Sequence, residues 1–444
     1  MKKLKQYITN SIGDGHFLEL LKGASSTLIL KIIGLVVGYV LAIFITNQYG
    51  AYIFGQYVTA LLVVEILAII SRLGIDTSLV RFISKYIQKG AVLSIDKLYY
   101  KSVTIVTSMA VFLSALLFFF SQPIAQFMNL DKNLLIIVSY SFIPLVLFHM
   151  NVQSIRGMKN MISFSFFNNV AISLTTFVLL ALCSYFFTDD KLPIYAYVLG
   201  VFSMSCLSFI VWFRLKNKLS IEGSSSYDAL STKELLTVSF PLLLGQSMMI
   251  IMGKVDIFML ANMTNSEQVG VYNIALKLSM LSYMGLMAVN SIAAPKFSEI
   301  HTSGDIDALK KIVQQSTKTI FWASTPVLLL LILFPSTILS MFGDEFEIAA
   351  MCLIILSIGK MFSAISGSVG TFLQMVGRQK IFQNILIMAA LINILLNSLL
   401  IPNYGIEGAA VASSVSGIFW NLLMIIYIKK HFGFYTIYIP WTRR

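Results

Sequence analysis

Six charged residues lie inside the long hydrophobic segments of this chain, where an anchoring helix would not need them. Four are basic and two are acidic: Lys31, Lys254, Lys277, Lys360, Glu65 and Asp256. A charge near the middle of a bilayer costs roughly 2.5–3.5 kcal/mol on insertion scales, so six charges facing lipid would cost about 15–20 kcal/mol. We therefore expect these side chains to face an internal, hydrated cavity. The excess of lysine predicts that this cavity binds an anion.

Five further polar residues are candidates for the same site. Arg72, Arg81 and Arg156 lie at the ends of hydrophobic segments, where they contact lipid headgroups or capture an incoming phosphate group with a bidentate guanidinium. Asn393 and Asn397 are four residues apart and share one face of a helix. These two asparagines either form hydrogen bonds between helices or contact the substrate.

The composition is that of a polytopic membrane protein. Of the 444 residues, 57% are hydrophobic and 12% are charged, and the mean hydropathy is +0.83. The net charge of +12 does not indicate nucleic acid as a partner, because the basic residues lie in short loops between apolar segments. All three cysteines lie in apolar segments without metal-ligand spacing, so we expect neither a disulfide nor a metal site.

Windows of about 20 apolar residues predict twelve membrane-spanning helices. They lie near 26–47, 54–73, 102–121, 134–155, 164–187, 192–213, 237–261, 271–294, 319–342, 348–374, 381–401 and 407–428. The predicted loops on one side hold only Lys132 and Lys191, whereas those on the other side are rich in lysine and arginine. The positive-inside rule then predicts a multi-pass protein of the cytoplasmic (inner) membrane with both termini in the cytoplasm.

The two halves of the chain resemble each other weakly. Gly55 and Gly270 occupy matching positions 215 residues apart, and Gly157 and Gly377 match at 220. Six spans in each half would share one orientation, so we predict an all-α integral membrane fold of two six-helix bundles, related by a pseudo-two-fold axis along the membrane normal. The predicted division is an N-terminal bundle over 1–213, a cytoplasmic linker over 214–236, a C-terminal bundle over 237–428 and a cytoplasmic tail over 429–444.

Three stretches of sequence carry a family resemblance. They are GTFLQMVGRQKIFQN followed by INILLNSLLIPNYGIEGAAVASSVS, starting at Gly370, then KVDIFMLANMTNSEQVGVYNIALKL over 254–278 and RLGIDTSLVRFISKY over 72–86. In this order and spacing, the chain resembles the polysaccharide flippases of the multidrug/oligosaccharidyl-lipid/polysaccharide exporter superfamily over nearly its whole length. The lipid II flippases of that superfamily generally have more spans, so they fit less well.

The resemblance implies a transporter, not an enzyme. It would flip undecaprenyl-pyrophosphate-linked oligosaccharide repeat units across the inner membrane by alternating access, for O-antigen, other lipopolysaccharide or capsule synthesis. The four lysines would bind the pyrophosphate in the cavity, the three arginines would capture it on the cytoplasmic side, and the two asparagines would line the cavity. The implied partners are the lipid-linked oligosaccharide, membrane lipids, and a polysaccharide polymerase with its assembly proteins.

The sequence does not identify the energy source of transport. The sequence has no GxxxxGK[ST] motif for ATP, so we expect no cofactor; an ion gradient or consumption of the product would then drive transport. Glu65 and Asp256 either couple transport to protons or sodium or form structural ion pairs.

Two other functions are possible alternatives. A multidrug/cation antiporter of the same superfamily should have an acid-rich cavity. A polysaccharide polymerase or ligase should have a sizeable outer loop, which the predicted spans do not leave.

Overall fold

The computed structural model of the protein describes the backbone of residues 15–219 and 231–440. Side chains are described over the same ranges apart from 15–25 and 244–251. Residues 220–230 of the predicted linker, and both ends of the chain, lie outside the described residues. Over the described ranges every regular element is a helix, as predicted for an all-α membrane protein.

The helices follow one another with mostly short connections. In chain order they are α1 (Gly15–Arg72), α2 (Ile75–Gln88), α3 (Val92–Phe119), α4 (Ser121–Phe127), α5 (Lys132–Ser139), α6 (Phe142–Gly157), α7 (Met161–Phe166), α8 (Ile172–Cys183), α9 (Leu192–Asn217), α10 (Thr232–Met263), α11 (Ser266–Met280), α12 (Tyr283–Ser303), α13 (Ile306–Leu333), α14 (Pro335–Leu339), α15 (Ala350–Ser366), α16 (Val369–Met375) and α17 (Gln379–Phe432). A π-helical stretch, Phe167–Ala171, joins α7 to α8, and two 3-10 helices, Ser340–Phe342 and Asp344–Ala349, precede α15.

Several of these helices are long and apolar enough to cross a membrane. Seven such segments occur among the described residues, or up to nine when two bent helix pairs each count as one span. The bent pairs are α5 with α6 and α11 with α12, at 42° and 43°. The long helices α1 and α17 each break at one glycine, Gly50 with φ 79° and Gly405 with φ 53°. Glycine permits these positive φ angles without a steric penalty.

The helices group into two compact units by their contacts. The first unit comprises the described residues of Met1–Leu41, Val64–Phe120 and Ile136–Leu243, and the second comprises Ala42–Val63, Ser121–Leu135 and the described residues of Leu244–Arg444. The units follow spatial contacts and mix segments from both halves of the sequence. The predicted bundles over 1–213 and 237–428 therefore stay a prediction.

A stacked aromatic pair lies in the core of the first unit. Trp212 of α9 is fully buried and stacks on Tyr99 of α3, with ring centroids 4.9 Å apart. The Tyr99 hydroxyl donates to Asn151 Oδ1 of α6 at 2.6 Å, and the Asn151 amide donates to Ser208 Oγ of α9 at 3.0 Å. Three helices are thus joined by both apolar and polar contacts.

Phenylalanines fill part of the core of the second unit, and the end of the chain contributes to it. Phe372 of α16 contacts the rings of Phe297 and Phe434, with centroids 5.7 and 6.1 Å apart. α17 ends at Phe432, and the next residue, Gly433, adopts φ 81° and reverses the chain direction. The backbone N–H of Tyr438 then donates to the carbonyl of Ile365 at 3.1 Å. Residues 433–440 of the predicted tail therefore pack against this unit.

Candidate functional site

A buried aspartate lies at the centre of a polar cluster in the second unit. Asp256 of α10 is 4% exposed. Its Oδ1 accepts hydrogen bonds from the side-chain amides of Asn393 at 3.1 Å and Asn397 at 2.7 Å. Its Oδ2 accepts from the Tyr272 hydroxyl at 2.9 Å and from the Ser413 hydroxyl. We call these five residues the Asp256 cluster, in which four neutral donors satisfy one carboxylate.

Three helices position the cluster. α10 supplies the aspartate, α11 the tyrosine and α17 the remaining three residues. Asn393 and Asn397 share a face of α17, as their spacing predicts, and the Asn397 amide also donates to Asn393 Oδ1 at 3.1 Å. The break at Gly405 turns the chain, so Ser413 in the second part of α17 reaches the same carboxylate.

The Asp256 cluster has an acidic group with no basic group in contact. Within the described ranges, no lysine, arginine or histidine nitrogen lies within 4.0 Å of the Asp256 carboxylate. Lys360 of α15 is close enough to interact with Asp256 electrostatically. A buried charge without a partner in contact costs several kcal/mol. A cation or proton bound at the carboxylate would therefore stabilise the cluster.

The oxygen atoms of the cluster suit a small hard cation. Asn397 Oδ1 is buried and has no hydrogen-bond partner in the part of the chain that the structure describes. Half a turn of either amide exchanges its nitrogen for its oxygen, so Asn393 and Asn397 can present oxygen beside the carboxylate. Carboxylate, amide and hydroxyl oxygens are the ligands that hard cations prefer. The cluster can thus hold either a proton on Asp256 or a metal ion among its oxygens.

Three of the predicted lysines lie in the same unit as the cluster. Lys254 and Lys277 are partly buried, and their side chains are close enough for their positive charges to repel each other. Lys277 Nζ lies 5.6 Å from the ring centroid of Phe54, a cation–π contact. Lys360 is partly buried in α15. The structure thus keeps three cationic side chains within spans of one unit, and their contact with a substrate stays a prediction.

The other predicted residues lie in the first unit. Lys31 and Glu65 are partly buried in α1. Arg72 is 9% exposed and its Nη1 lies 2.9 Å from Asp76 Oδ2, so its guanidinium is engaged within the protein. Arg81 and Arg156 are exposed, and Arg156 lies over the Phe164 ring at 5.0 Å. Of the three arginines predicted to capture substrate, these two have the accessible guanidinium groups, and that role stays a prediction.

Sequence reasoning singled out three members of the Asp256 cluster and missed two. Tyr272 and Ser413 are common residue types within apolar or small-residue stretches, so nothing in their local pattern marks them. A usable signal was nevertheless present. One acid inside a span and two amides on one helix face indicate buried groups that must hydrogen-bond with each other.

An all-helical chain with apolar spans and ionisable groups inside them has the features of a membrane transporter. A family model described as "Polysaccharide biosynthesis protein" matches residues 20–301, and the chain belongs to this family. A second family model, described as MatE, matches residues 241–399. The predicted resemblance to flippases of the exporter superfamily is confirmed, and these matches support a transporter rather than an enzyme.

Two curated relatives match with moderate identity. An uncharacterized membrane protein of Methanocaldococcus jannaschii is 25% identical over 433 residues, which cover 92% of this chain and 84% of the relative. A probable low-salt glycan biosynthesis flippase, Agl15 of Haloferax volcanii, is 25% identical over 162 residues. That match covers 36% of this chain and 34% of the relative.

Solved structures share the fold at low sequence identity. The lipid II flippase MurJ, in an inward-closed conformation, aligns with a TM-score of 0.74 at 17% identity, covering 91% of this chain and 87% of MurJ. An inward-facing multidrug resistance MATE family transporter of the MOP superfamily aligns with a TM-score of 0.72 at 13% identity, covering 93% and 94%. An outward-facing conformation of such a transporter aligns with a TM-score of 0.61 at 15% identity, covering 93% and 96%.

Proposed function

We propose that this protein is a flippase for lipid-linked oligosaccharides that serve the synthesis of a surface polysaccharide such as O-antigen or capsule. The observation that carries the proposal is the match to the polysaccharide biosynthesis family over residues 20–301. The similarity to a glycan biosynthesis flippase and to the fold of a lipid II flippase supports it. A polymerase and assembly proteins would then use the flipped repeat unit as their substrate.

The proposed architecture has twelve spans with both termini in the cytoplasm. Ser26–Arg72 has 47 residues and Gln379–Phe432 has 54, and each is broken at one glycine. At about 1.5 Å per residue, each is long enough to cross a hydrocarbon core of about 30 Å twice. These four crossings, the five other long segments, the two bent helix pairs and α10 add up to twelve and support the predicted count. The bias of lysine and arginine toward one set of loops supports the orientation.

The lysines inside the spans are the proposed ligands of the pyrophosphate group. Lys254, Lys277 and Lys360 place three positive charges within spans of the second unit, and ionisable groups at such positions commonly mark substrate pathways. A pyrophosphate would bring negative charge to them, and the oligosaccharide would follow into the hydrated space. Lys31 is proposed as a further ligand, and Arg81 and Arg156 as the cytoplasmic capture residues, because both are exposed.

The Asp256 cluster is the proposed site of ion coupling. One carboxylate and several neutral oxygens suit a monovalent ion, Na⁺ or H⁺, because either would leave the cluster neutral. A Na⁺ ion would take Asp256, the turned amides and the Ser413 hydroxyl as ligands. Glu65 of α1 is the alternative coupling residue.

A multidrug/cation antiporter is the second candidate function. The MatE model matches residues 241–399, which include Asp256, Asn393 and Asn397. A buried carboxylate is the group that an organic cation would require. The lysines in the same unit count against this candidate, because they repel cationic drugs.

Gene deletion with complementation separates these functions. In the host, the deletion strain should lose surface polysaccharide and accumulate complete lipid-linked repeat units in the inner leaflet. Wild type should restore export, whereas Lys254→Gln, Lys277→Gln and Lys360→Gln combined should not. The matched control replaces three exposed lysines of the same unit, Lys310, Lys311 and Lys380, with glutamine and should restore export.

One result would contradict the role of the lysines, and two would contradict the flippase itself. Normal export by the triple span variant at equal protein level would remove the lysines from the mechanism. Repeat units that reach the outer leaflet of the deletion strain without being polymerised would indicate an enzyme. An unchanged polysaccharide with altered drug tolerance would indicate the antiporter.

A further inference from the structure

Two glycines from different halves of the sequence let α1 and α11 touch through their backbones. A Cβ placed on Gly55 would lie 1.6 Å from the carbonyl oxygen of Ser266, and a Cβ placed on Gly270 would lie 2.4 Å from the carbonyl oxygen of Ala51. No real Cβ approaches an oxygen so closely, so a side chain at either glycine would force the helices apart. We call these four residues the glycine crossing.

The glycine crossing consists of two equivalent contacts. Ala51 and Ser266 are 215 residues apart, and so are Gly55 and Gly270. Ala51 lies four residues before Gly55, and Ser266 lies four residues before Gly270. Each glycine therefore contacts the carbonyl group of the residue that lies four positions before the other glycine. This reciprocity is that of an isologous contact about a two-fold axis. Matching positions of the predicted repeat thus touch each other here.

Polar side chains surround the glycine crossing, among them the Glu345 carboxylate, which accepts from the Ala51 backbone N–H. Gln56 Nε2 donates to Ser266 Oγ at 2.6 Å and to the Asn129 carbonyl at 3.0 Å, and Gln56 Oε1 accepts from the Asp131 backbone N–H at 2.8 Å. Beside the crossing, the Asn129 amide donates to the Thr264 carbonyl at 2.8 Å and the Asn262 amide to the Phe127 carbonyl at 2.7 Å. We call Gln56, Asn129 and Asn262 the polar latch.

These contacts are of a kind that can separate at moderate cost. Water replaces each hydrogen bond of a neutral side chain when the partners part, so the net loss per bond is only about 0.5–1.5 kcal/mol. Apolar side chains beside the glycines are buried as well: Phe54 is 1% exposed, and Val269 and Val271 are 0% and 1% exposed. The hydrogen bonds of the polar latch are the part of the contact that water can replace.

We propose that the glycine crossing, with its polar latch, is the outer gate of the transporter. The Gly50 break just before Gly55 and the connection just before Ser266 both lie on the predicted outer side. The gate is closed in this structure, and it opens when Ala42–Val63 and Ser121–Leu135 separate from α11. This inference rests on the proposed function, since only a transporter needs such an opening.

Labelling of a cysteine at the crossing tests the gate without any substrate. The reporter is Ser266→Cys, which is 3% exposed, in a chain whose three native cysteines are replaced. In intact cells a membrane-impermeant maleimide should label it slowly. Adding Gly55→Ala should raise the labelling rate by about tenfold or more, which corresponds to a shift of about 1.4 kcal/mol in the opening equilibrium. Gly38→Ala in the same helix is the matched control, because nothing lies within 4 Å of its Cβ.

Each outcome decides the proposal. An unchanged rate in Gly55→Ala overturns it, and so does an equal rise in Gly38→Ala, which would mean general loosening of α1. If Gly55→Ala fails to accumulate in the membrane, the same labelling experiment is done with Gln56→Ala, which introduces no clash. Gln56→Ala should raise the labelling rate at least about threefold, and an unchanged rate overturns the proposal. Faster labelling with unaltered polysaccharide export would support the gate contact and count against the flippase, so the two failures are distinguishable.

Discussion

Two buried aspartates, one in each unit, are stabilised in different ways. Asp76 of the first unit is 2% exposed and accepts from Arg72 Nη1 at 2.9 Å and from the backbone N–H of Thr77 at 2.9 Å. Asp256 of the second unit is 4% exposed and, among the described residues, accepts from neutral donors only. The first carboxylate has an arginine in contact, whereas the second has Lys360 near enough to interact electrostatically but not in contact.

The difference separates a structural acid from a candidate coupling site. Arg72 and Asp76 are four residues apart and connect α1 to α2 across Leu73 and Gly74, both of which have positive φ. The ion pair stabilises the turn between α1 and α2, and its two charges neutralise each other without a bound ion. The Asp256 cluster joins three helices through a carboxylate with no basic group in contact, so the proposed binding of a cation there would alter the contacts among those helices.

The largest effect should come from removing the charge at Asp256. We expect Asp256→Asn to reduce export by more than about tenfold, because it removes the one carboxylate of the cluster. If Na⁺ is the ion, replacing K⁺ by Na⁺ should raise the melting temperature of the purified wild type, and this rise should vanish in Asp256→Asn. If Na⁺ is not the ion, the exchange should leave the melting temperatures of wild type and variant unchanged.

The control for that experiment is the other aspartate. Asp76→Asn should retain the full response of the melting temperature to Na⁺, even though it lowers the melting temperature itself. If both variants lost the response equally, the contrast between the two acids would be wrong.

The second effect should be a loss of stability at Asp76. Asp76→Asn leaves Arg72 with a buried, unpaired charge, which typically costs about 3–5 kcal/mol. We expect a marked fall in the melting temperature of the purified protein. The double variant Arg72→Met with Asp76→Leu should recover most of it, because neither charge is then buried. A double variant as unstable as the single one would show that the ion pair is not what Asp76 contributes.

The sequence allowed part of this contrast to be predicted. Asp256 was identified because an acid inside an apolar span is costly, and Asn393 and Asn397 because their spacing places them on one face. Their common contact was not predictable, since Asp256 is 137 residues before the nearer asparagine and their meeting depends on how helices pack. The helical fold itself followed from the length and hydropathy of the apolar segments.

The burial of Arg72 was less accessible to sequence reasoning. An arginine at the end of a span reads as a lipid or substrate contact, because the chain beyond it is expected to be a loop. In the structure the chain continues as α2, whose buried face includes Asp76. The same RLGID stretch thus contained both partners, but only the turn at Leu73 and Gly74 brings them together.

A smaller effect should distinguish the two asparagines of the cluster from other asparagines of α17. Asn397→Ala removes an amide whose oxygen, once turned, is a proposed ligand of the ion, so ion affinity should fall roughly tenfold. The amide of Asn393 lies farther from Asp256 Oδ1, at 3.1 Å against 2.7 Å for Asn397, so Asn393→Ala should lower the affinity less. The exposed Asn403 of the same helix is the control, and Asn403→Ala should leave the ion response unchanged. An equal effect of all three variants would mean that they act through the helix and not through the carboxylate.

The smallest effect should come from an exposed acid on the same helix as Asp256. Glu234 Oε2 accepts from the Ser231 backbone N–H at 2.8 Å, and the Ser231 hydroxyl accepts from the Glu234 N–H at 3.2 Å, which forms a capping box at the start of α10. These bonds hold the pKa of Glu234 below its usual value. The cap is therefore complete above the unfolded pKa of about 4.3 and weakens only as the pH falls through the lower folded value. Glu234→Gln should accordingly leave export and the ion response unchanged near neutral pH. A loss of either near neutral pH would show that acidity anywhere on α10 matters, and the burial that distinguishes Asp256 would no longer explain its role.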